Sequence, residues 1–166
     1  TLSANSDSYS LCGNNWTLAL NGQSFSDGFA SGASVSGTAT GATPMTFSGC
    51  DLGNCTLPAF NLEGGGLNGT ITCSGAGDYK IDNCHSMIAG TGSPAVDFGA
   101  AVGNSNLNFR NYSGGIEIQN MNGAGSDLMS LEGNGQLIIN ANCSGGTVAI
   151  RGNFTVTDNA GGAVTL

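Results

Sequence analysis

A motif recurring at uneven intervals constrains this chain more than any other feature. Asn111-Tyr112-Ser113-Gly114-Gly115-Ile116-Glu117-Ile118 is answered by Asn142-Cys143-Ser144-Gly145-Gly146-Thr147-Val148-Ala149-Ile150, and a looser copy runs from Cys73 to Ile81. In each, a small polar residue and a glycine pair make a tight corner, and a short alternating strand follows. Such a unit has one apolar face that it cannot bury alone. Stacked on its neighbours, it forms a continuous core along an axis. The expectation is an all-β fold of parallel β-helix or solenoid type, built from short strands. The copies stand 39 residues apart (Cys73 to Tyr112) and then 31 (Asn111 to Asn142), so insertions between successive turns of the solenoid are expected.

Composition supports strands over helices. Glycine accounts for 29 of 166 residues, and each interior glycine costs a helix about 1 kcal/mol relative to alanine. Asparagine and glycine also supply the positive φ angles that turns require. Apolar residues make up 39% of the chain and charged residues only 8%. Disorder pairs low hydrophobicity with high charge, so this is not a disordered linker.

The charge balance removes whole classes of partner. Net charge is −8, and the cations are Lys80, Arg110 and Arg151. Nucleic-acid binding needs clustered Lys and Arg to release counterions, which three scattered cations do not provide, and the same deficit disfavours anionic membrane surfaces. No apolar run approaches the roughly 18 residues of a membrane span. The first residue is not methionine, so the chain is read as a processed product or as part of a longer protein.

Short strands separated by Gly and Asn corners are expected at Met45 to Phe47, Phe60 to Leu62, Gly69 to Cys73, Tyr79 to Ile81, Leu107 to Phe109, Ile116 to Ile118, Leu128 to Leu131, Leu137 to Ile139, Val148 to Ile150, Phe154 to Val156 and Ala163 to Leu166. Before them, Trp16 to Leu20 reads as a strand entering an Asn21-Gly22 turn, with Gln23 to Phe25 as its return. Residues 27 to 43 are small and polar, either a linker or a weakly apolar edge of the stack. The division is therefore 1–43, an N-terminal docking segment with a short hairpin, and 44–166, the Gly-rich solenoid. A trimeric β-prism fibre and a β-sandwich are the competing folds. The sandwich would show longer strands and more hairpin signals.

Six cysteines form an even set: Cys12, Cys50, Cys55, Cys73, Cys84 and Cys143. Zinc sites pair close cysteines with a second pair or with histidines. Cys50 and Cys55 have no such companion, and His85 is the only histidine. Disulfides are possible, with connectivity unreadable from sequence. The alternative is small buried hydrophobes, with Cys50, Cys84 and Cys143 at comparable places beside turns.

Along the last 70 residues, Asp97-Phe98-Gly99-Ala100-Ala101-Val102-Gly103, the Arg110 to Ile118 run, Ile139-Asn140-Ala141-Asn142-Cys143 and Arg151-Gly152-Asn153-Phe154-Thr155-Val156-Thr157-Asp158-Asn159 together resemble the C-terminal part of virion structural proteins of tailed bacteriophages. The Arg-Gly-Asn-Phe to Thr-Asp-Asn stretch is the most specific piece. The resemblance implies a β-rich, trimeric appendage or surface protein, and carries no catalytic residues with it. An exposed fibre benefits from a weakly charged, heavily hydrogen-bonded surface. Covering the ends and edges of a solenoid favours trimers.

Candidate sites each have a plainer explanation. Sugar cleavage needs two carboxyl groups about 5 to 9.5 Å apart, and strands stack about 4.8 Å apart, so Asp78 with Asp82 and Glu117 with Glu132 are the pairs to test. Their alternation with apolar residues also fits simple outward positions. Cys84-His85 are strand neighbours that point to opposite faces, which disfavours a thiol nucleophile. Gly123-Ala124-Gly125-Ser126-Asp127 resembles a calcium-binding turn of nonapeptide repeats but occurs once, and Gly64-Gly65-Gly66 lacks the Lys and Ser/Thr of a phosphate loop. Six N-x-S/T sequons, at Asn15, Asn54, Asn68, Asn111, Asn142 and Asn153, matter only in a eukaryotic secreted protein. Trp16, Phe25, Phe29 and Phe47 form either a docking face or core. Arg110 and Arg151 are expected to pair with Glu117, Glu132 or Asp158.

No catalytic, cofactor or metal residue is assigned. The expectation is a non-enzymatic structural component of a tailed phage virion, a tail or neck fibre or surface appendage. Its partners would be itself as a homotrimer, other virion proteins and a host surface glycan, with no nucleic acid. A receptor- or glycan-binding fibre module, a polysaccharide-degrading tailspike, a capsid decoration protein and a bacterial adhesin fragment are the alternatives.

Overall fold

A computed structural model describes residues 1–88, 93–99, 105–122 and 127–166, and every regular element among them is a β-strand. In chain order these are β1 (Ser10–Ala19), β2 (Phe29–Thr38), β3 (Met45–Leu57), β4 (Phe60–Leu67), β5 (Thr70–Cys73), β6 (Gly77–Asp82), β7 (His85–Ser86), β8 (Ala95–Asp97), β9 (Ser105–Gln119), β10 (Leu128–Ile139) and β11 (Thr147–Asp158). All of their pairings are parallel. The chain therefore winds in one sense as a parallel β-solenoid. β1, β2 and β3 are its first three tiers, β4 with β5 the fourth, and β6, β7 and β8 the fifth. β9, β10 and β11 complete the stack. A sandwich joined by antiparallel hairpins is set aside by this register.

Columns of aligned side chains hold the tiers together. One column runs through the whole stack: Leu11, Ala30, Phe47, Leu62, Ile81, Phe109, Leu131 and Ile150. All its members between Ala30 and Leu131 are buried, each large one contributing about 1.5–3 kcal/mol of burial. A second column carries Cys55, Ile71, Val96, Ile118 and Ile139. Aromatic rings stack alongside, with Phe47 6.3 Å from both Phe25 and Phe60, and Phe60 5.5 Å from Tyr79 in an edge-on contact. The buried phenols are satisfied at corners: Tyr79 donates to the Gly75 carbonyl at 2.6 Å and Tyr112 to the Gly115 carbonyl at 2.9 Å.

The corners explain why the strands run longer than the sequence implies. Ladder bonding continues through each bend, so Leu107 to Phe109 and Ile116 to Ile118 fall in the single strand β9, and 128–131 with 137–139 in β10. The first bend of successive tiers uses one left-handed residue: Gly32 (φ 65°), Gly49 (59°), Gly64 (69°), Asn83 (56°) and Asn111 (51°). Only glycine and, at small cost, asparagine adopt that conformation routinely. The residue after the bend turns inward, and Ala33, Cys50, Cys84 and Tyr112 are all buried there.

Two sequence expectations are revised by the register. The Asn111 and Asn142 copies of the motif do not stack: Ile116 lies on Leu137 and Val156, whereas Val148 lies on Met129, Leu107 and Tyr79. The loose Cys73 copy and the Cys143 copy are the equivalent pair, each leading into the start of a tier. Repeat length varies from 15 residues (Met45 opposite Phe60) to 28 (Tyr79 opposite Leu107), because the loops between tiers differ while the paired stretches do not. At the N-terminus, Asn21 and Gly22 make the expected tight turn, with φ of 52° and 72°. Ser24 then bridges Thr40 in parallel instead of returning along Trp16 to Leu20. Across the boundary expected near residue 43, β2 pairs with β3 in the same sheet.

Candidate functional site

Alternation along each strand sends every second residue outward, and the register lines those residues up in rows. The row carrying most charge reads Cys12, Ser31, Ser48, Glu63, Asp82, Arg110, with Glu132 and Arg151 continuing it on the last two tiers. Beside it runs Ser10, Phe29, Thr46, Asn61, Lys80, Asn108, Ser130 and Ala149. Lys80, Arg110 and Arg151 thus share one face, within four successive tiers, although nothing in their sequence spacing (30 and 41 residues) announces it.

Charge on this face is matched locally. The Arg110 guanidinium grips Asp82 through two hydrogen bonds, Nε to Oδ1 at 2.9 Å and Nη2 to Oδ2. Arg151 lies opposite Glu132 in register. Of the partners expected from sequence, Glu132 lies beside both arginines, while Glu117 and Asp158 lie on other faces. Asp82 was not anticipated, because the 28-residue loop-out between β6 and β9 hides its proximity.

The expected carboxylate pairs do not come together. Asp78 and Asp82 sit on one strand four residues apart, about 13 Å along it, beyond hydrolytic spacing. Asp78 accepts from Asn106 Nδ2 at 3.1 Å. Glu117 instead joins an amide network, accepting from Gln119 Nε2 at 3.0 Å and Asn140 Nδ2 at 2.6 Å, near Asp97, which accepts from Asn120 Nδ2 at 2.7 Å. The acids that do align on adjacent strands are Glu63 and Asp82. They border an open recess of about 340 Å³ with Asn83 and Arg110, and Asp82 is already committed to the guanidinium.

The thiols are placed for packing. Cys50, Cys55, Cys73, Cys84 and Cys143 are buried and Cys12 is exposed, all as free thiols. Burial pushes the thiols of Cys55 and Cys84 up to about 12 and that of Cys73 further still, the opposite of what a nucleophile requires. Cys84 donates to the Asp82 carbonyl at 3.1 Å, while His85 points outward beside Ser113. Cys50 and Cys84 share the corner column, with Gly65 between them. Cys143 belongs to a different turn, its thiol 3.5 Å from the Ile118 carbonyl.

Among the described residues no group of three or more His, Cys, Asp or Glu is arranged to hold a metal ion. The turn at 123–126 lies outside the described residues. Asp127, which follows it, is buried and accepts from the amides of Ser105 at 3.1 Å and Asn122 at 3.2 Å. Phe25 and Phe47 are core, and the Trp16 indole donates to the Ser31 carbonyl at 3.0 Å, so these aromatics form no common docking face. Asn142 accepts from the Asn120 amide at 3.1 Å. No described helix is long and apolar enough to cross a membrane.

The remaining surface is hydroxyl and amide. Thr38, Thr56 and Thr72 form a row on consecutive tiers. Thr17, Ser34, Asp51, Gly66, His85, Ser113, Asn134 and Asn153 form another through the full stack. Such rows offer hydrogen bonds at regular intervals to a partner, without a water-excluding cleft for chemistry. No family model, characterised protein or solved structure matches the chain.

Proposed function

We propose that this chain is a non-enzymatic structural component of a tailed phage virion, a tail or neck fibre or surface appendage that works as a homotrimer. The observation that carries the proposal is the apolar column running from Leu11 to Ile150 through every tier. A rod filled end to end transmits position and resists proteolysis, and it rises about 34 Å over its seven steps. The resemblance of residues 97–166 to phage virion proteins supplies the setting. The large apolar side chains left exposed are Tyr9, Met87, Leu128 and Leu166. They are scattered over different tiers, so trimer contacts would be made by the Ser, Thr and Asn rows.

Antibody raised against the purified protein tests this directly on gradient-purified particles from a host carrying the gene. Gold label on the particles in electron micrographs, with light scattering of the free protein at three chains per particle, is the expected result. Label confined to the bacterial envelope would overturn the virion reading in favour of an adhesin. A second reading, glycan binding, draws on the polar recess of about 410 Å³ bordered by Asn14, Asn15, Ser34 and Asp51.

A further inference from the structure

The two ends of the stack are finished differently. Below β1, residues 1–8 fold under the first tier. Leu2, Ser6 and Ser8 donate from their amides to the carbonyls of Ala19, Ser24 and Ser26 at 2.8–2.9 Å. Asn5 and Asp7 fasten the segment by accepting from the Ser24 and Ser26 amides at 3.0 and 2.8 Å. At the other end β11 pairs with β10 over twelve residues in constant register, from Leu128 opposite Thr147 to Ile139 opposite Asp158. Among the described residues its outer edge meets only Thr165, which bridges Thr147 in parallel. Asp158 holds the following loop close, accepting from the amides of Ala160 and Gly162.

That outer edge is a template with defined chemistry. The Val148 amide donates away from β10, to the Thr165 carbonyl at 2.8 Å, while Asn159 donates back to Ile139 at 2.9 Å. With no bulge between them, the amides of Ile150, Phe154, Val156 and Asp158 point to the open side. The side chains of Ile150, Phe154 and Val156 are only partly buried and pack on the core from its end, so the columns that stack tier upon tier stop at them half covered. An uncovered parallel edge of this length pairs readily with another strand.

We propose that the free edge of β11 is a docking site for one extended segment of a different polypeptide, laid parallel to β11 with apolar residues over Ile150, Phe154 and Val156. The site continues the interface that joins every pair of tiers within the chain. A second copy of the chain is a poor occupant, because its residues 1–8 project below β1 on the side that would meet β11. The inference goes beyond the virion reading and stands whatever particle carries the protein.

The test uses the whole protein and a fluorescein-labelled synthetic peptide with the sequence of residues 128–139, whose natural place is parallel against β11. Its control carries lysine at the positions of Leu131, Leu137 and Ile139. Expected results are saturable binding of the first peptide only, with exchange at the amides of Ile150, Phe154, Val156 and Asp158 slowed roughly tenfold or more, equivalent to about 1.4 kcal/mol. Val156→Pro removes one outward donor without touching the β10 ladder and should abolish binding, and Val156→Lys should do so with all backbone donors kept. Absence of protection at these four amides would overturn the proposal. So would protection arising in the protein alone as its concentration rises, because the occupant would then be a second copy.

Discussion

Two alanine substitutions that look alike in sequence, Gly49→Ala and Gly133→Ala, should differ severalfold in cost. Gly49 is a left-handed corner residue (φ 59°) around which an added Cβ meets nothing within 4 Å. Its substitution incurs left-handed strain of about 1–2 kcal/mol, partly offset by about 0.4–1 kcal/mol from the less flexible unfolded chain. Gly133 has φ of 145°, and a Cβ there would lie 1.9 Å from the Tyr112 carbonyl oxygen and 2.8 Å from its nitrogen. The obstacle is backbone of the next tier, so relief requires β10 to move more than 1 Å from β9. That retreat breaks about three ladder hydrogen bonds at about 1 kcal/mol each and adds about 1–3 kcal/mol of backbone strain. The expected losses are about 1 kcal/mol for Gly49→Ala and about 4–6 kcal/mol for Gly133→Ala. Urea unfolding followed by far-ultraviolet dichroism measures both. A Gly133→Ala midpoint indistinguishable from that of Gly49→Ala would refute the close-approach reasoning.

Four further outcomes follow from the same geometry. Phe109→Ala, which empties a fully buried position in the long column and removes the edge-on contact with Tyr112 at 5.2 Å, should cost about 3–5 kcal/mol in chemical denaturation. Arg110→Ala should cost at most about 1 kcal/mol, because the arginine side chain is 67% exposed and surface ion pairs contribute little; a loss above 2 kcal/mol would contradict this. Asp127→Ala, which deprives the buried amides of Ser105 and Asn122 of their acceptor, should cost about 1–3 kcal/mol and speed exchange at Ser105. Stability should also fall in alkali. The thiols of Cys55 and Cys84 are raised from 9.0 to about 12 by burial, so the unfolded state loses those protons first. Their stabilising contribution is complete below about pH 9 and declines by about 1.4 kcal/mol per unit for each thiol as pH rises towards 12. Cys55→Ala with Cys84→Ala should flatten that decline, and an unchanged slope would assign it to other groups.

The stacked all-β fold was legible because corner chemistry is local: Gly and Asn at left-handed positions and alternation beyond them are written in adjacent residues. Register was not, because it depends on how much chain leaves the stack between tiers, and the loops range from a few residues to the long excursion before β9. That is why the Asn111 and Asn142 motifs, nearly identical in sequence, occupy different corners. β2 was hidden for another reason. Its inward residues Ala30, Ala33 and Val35 are small and alternate with Ser and Gly, so a buried strand reads as a polar linker. The charged row was invisible for the same cause as the register: Asp82 and Arg110 meet only because residues 83–109 close into one turn of the solenoid. The inward cysteines were foreseeable as small hydrophobes, since each follows or flanks a turn on the buried side of an alternating run.

The central claim is that one parallel register runs unbroken from the second tier to the last, and distances between spin labels along one outward row test it most directly. In a Cys12→Ser background, labels at Ser34 and Ser113 lie four steps apart, about 19 Å, and labels at Ser34 and Asn153 six steps apart, about 29 Å. All three positions are exposed in the same row. Pulsed electron resonance should give two narrow distributions separated by about 10 Å, a difference in which the label tethers cancel. Equal distances, or broad distributions for both pairs, would contradict the stack and the function built on it.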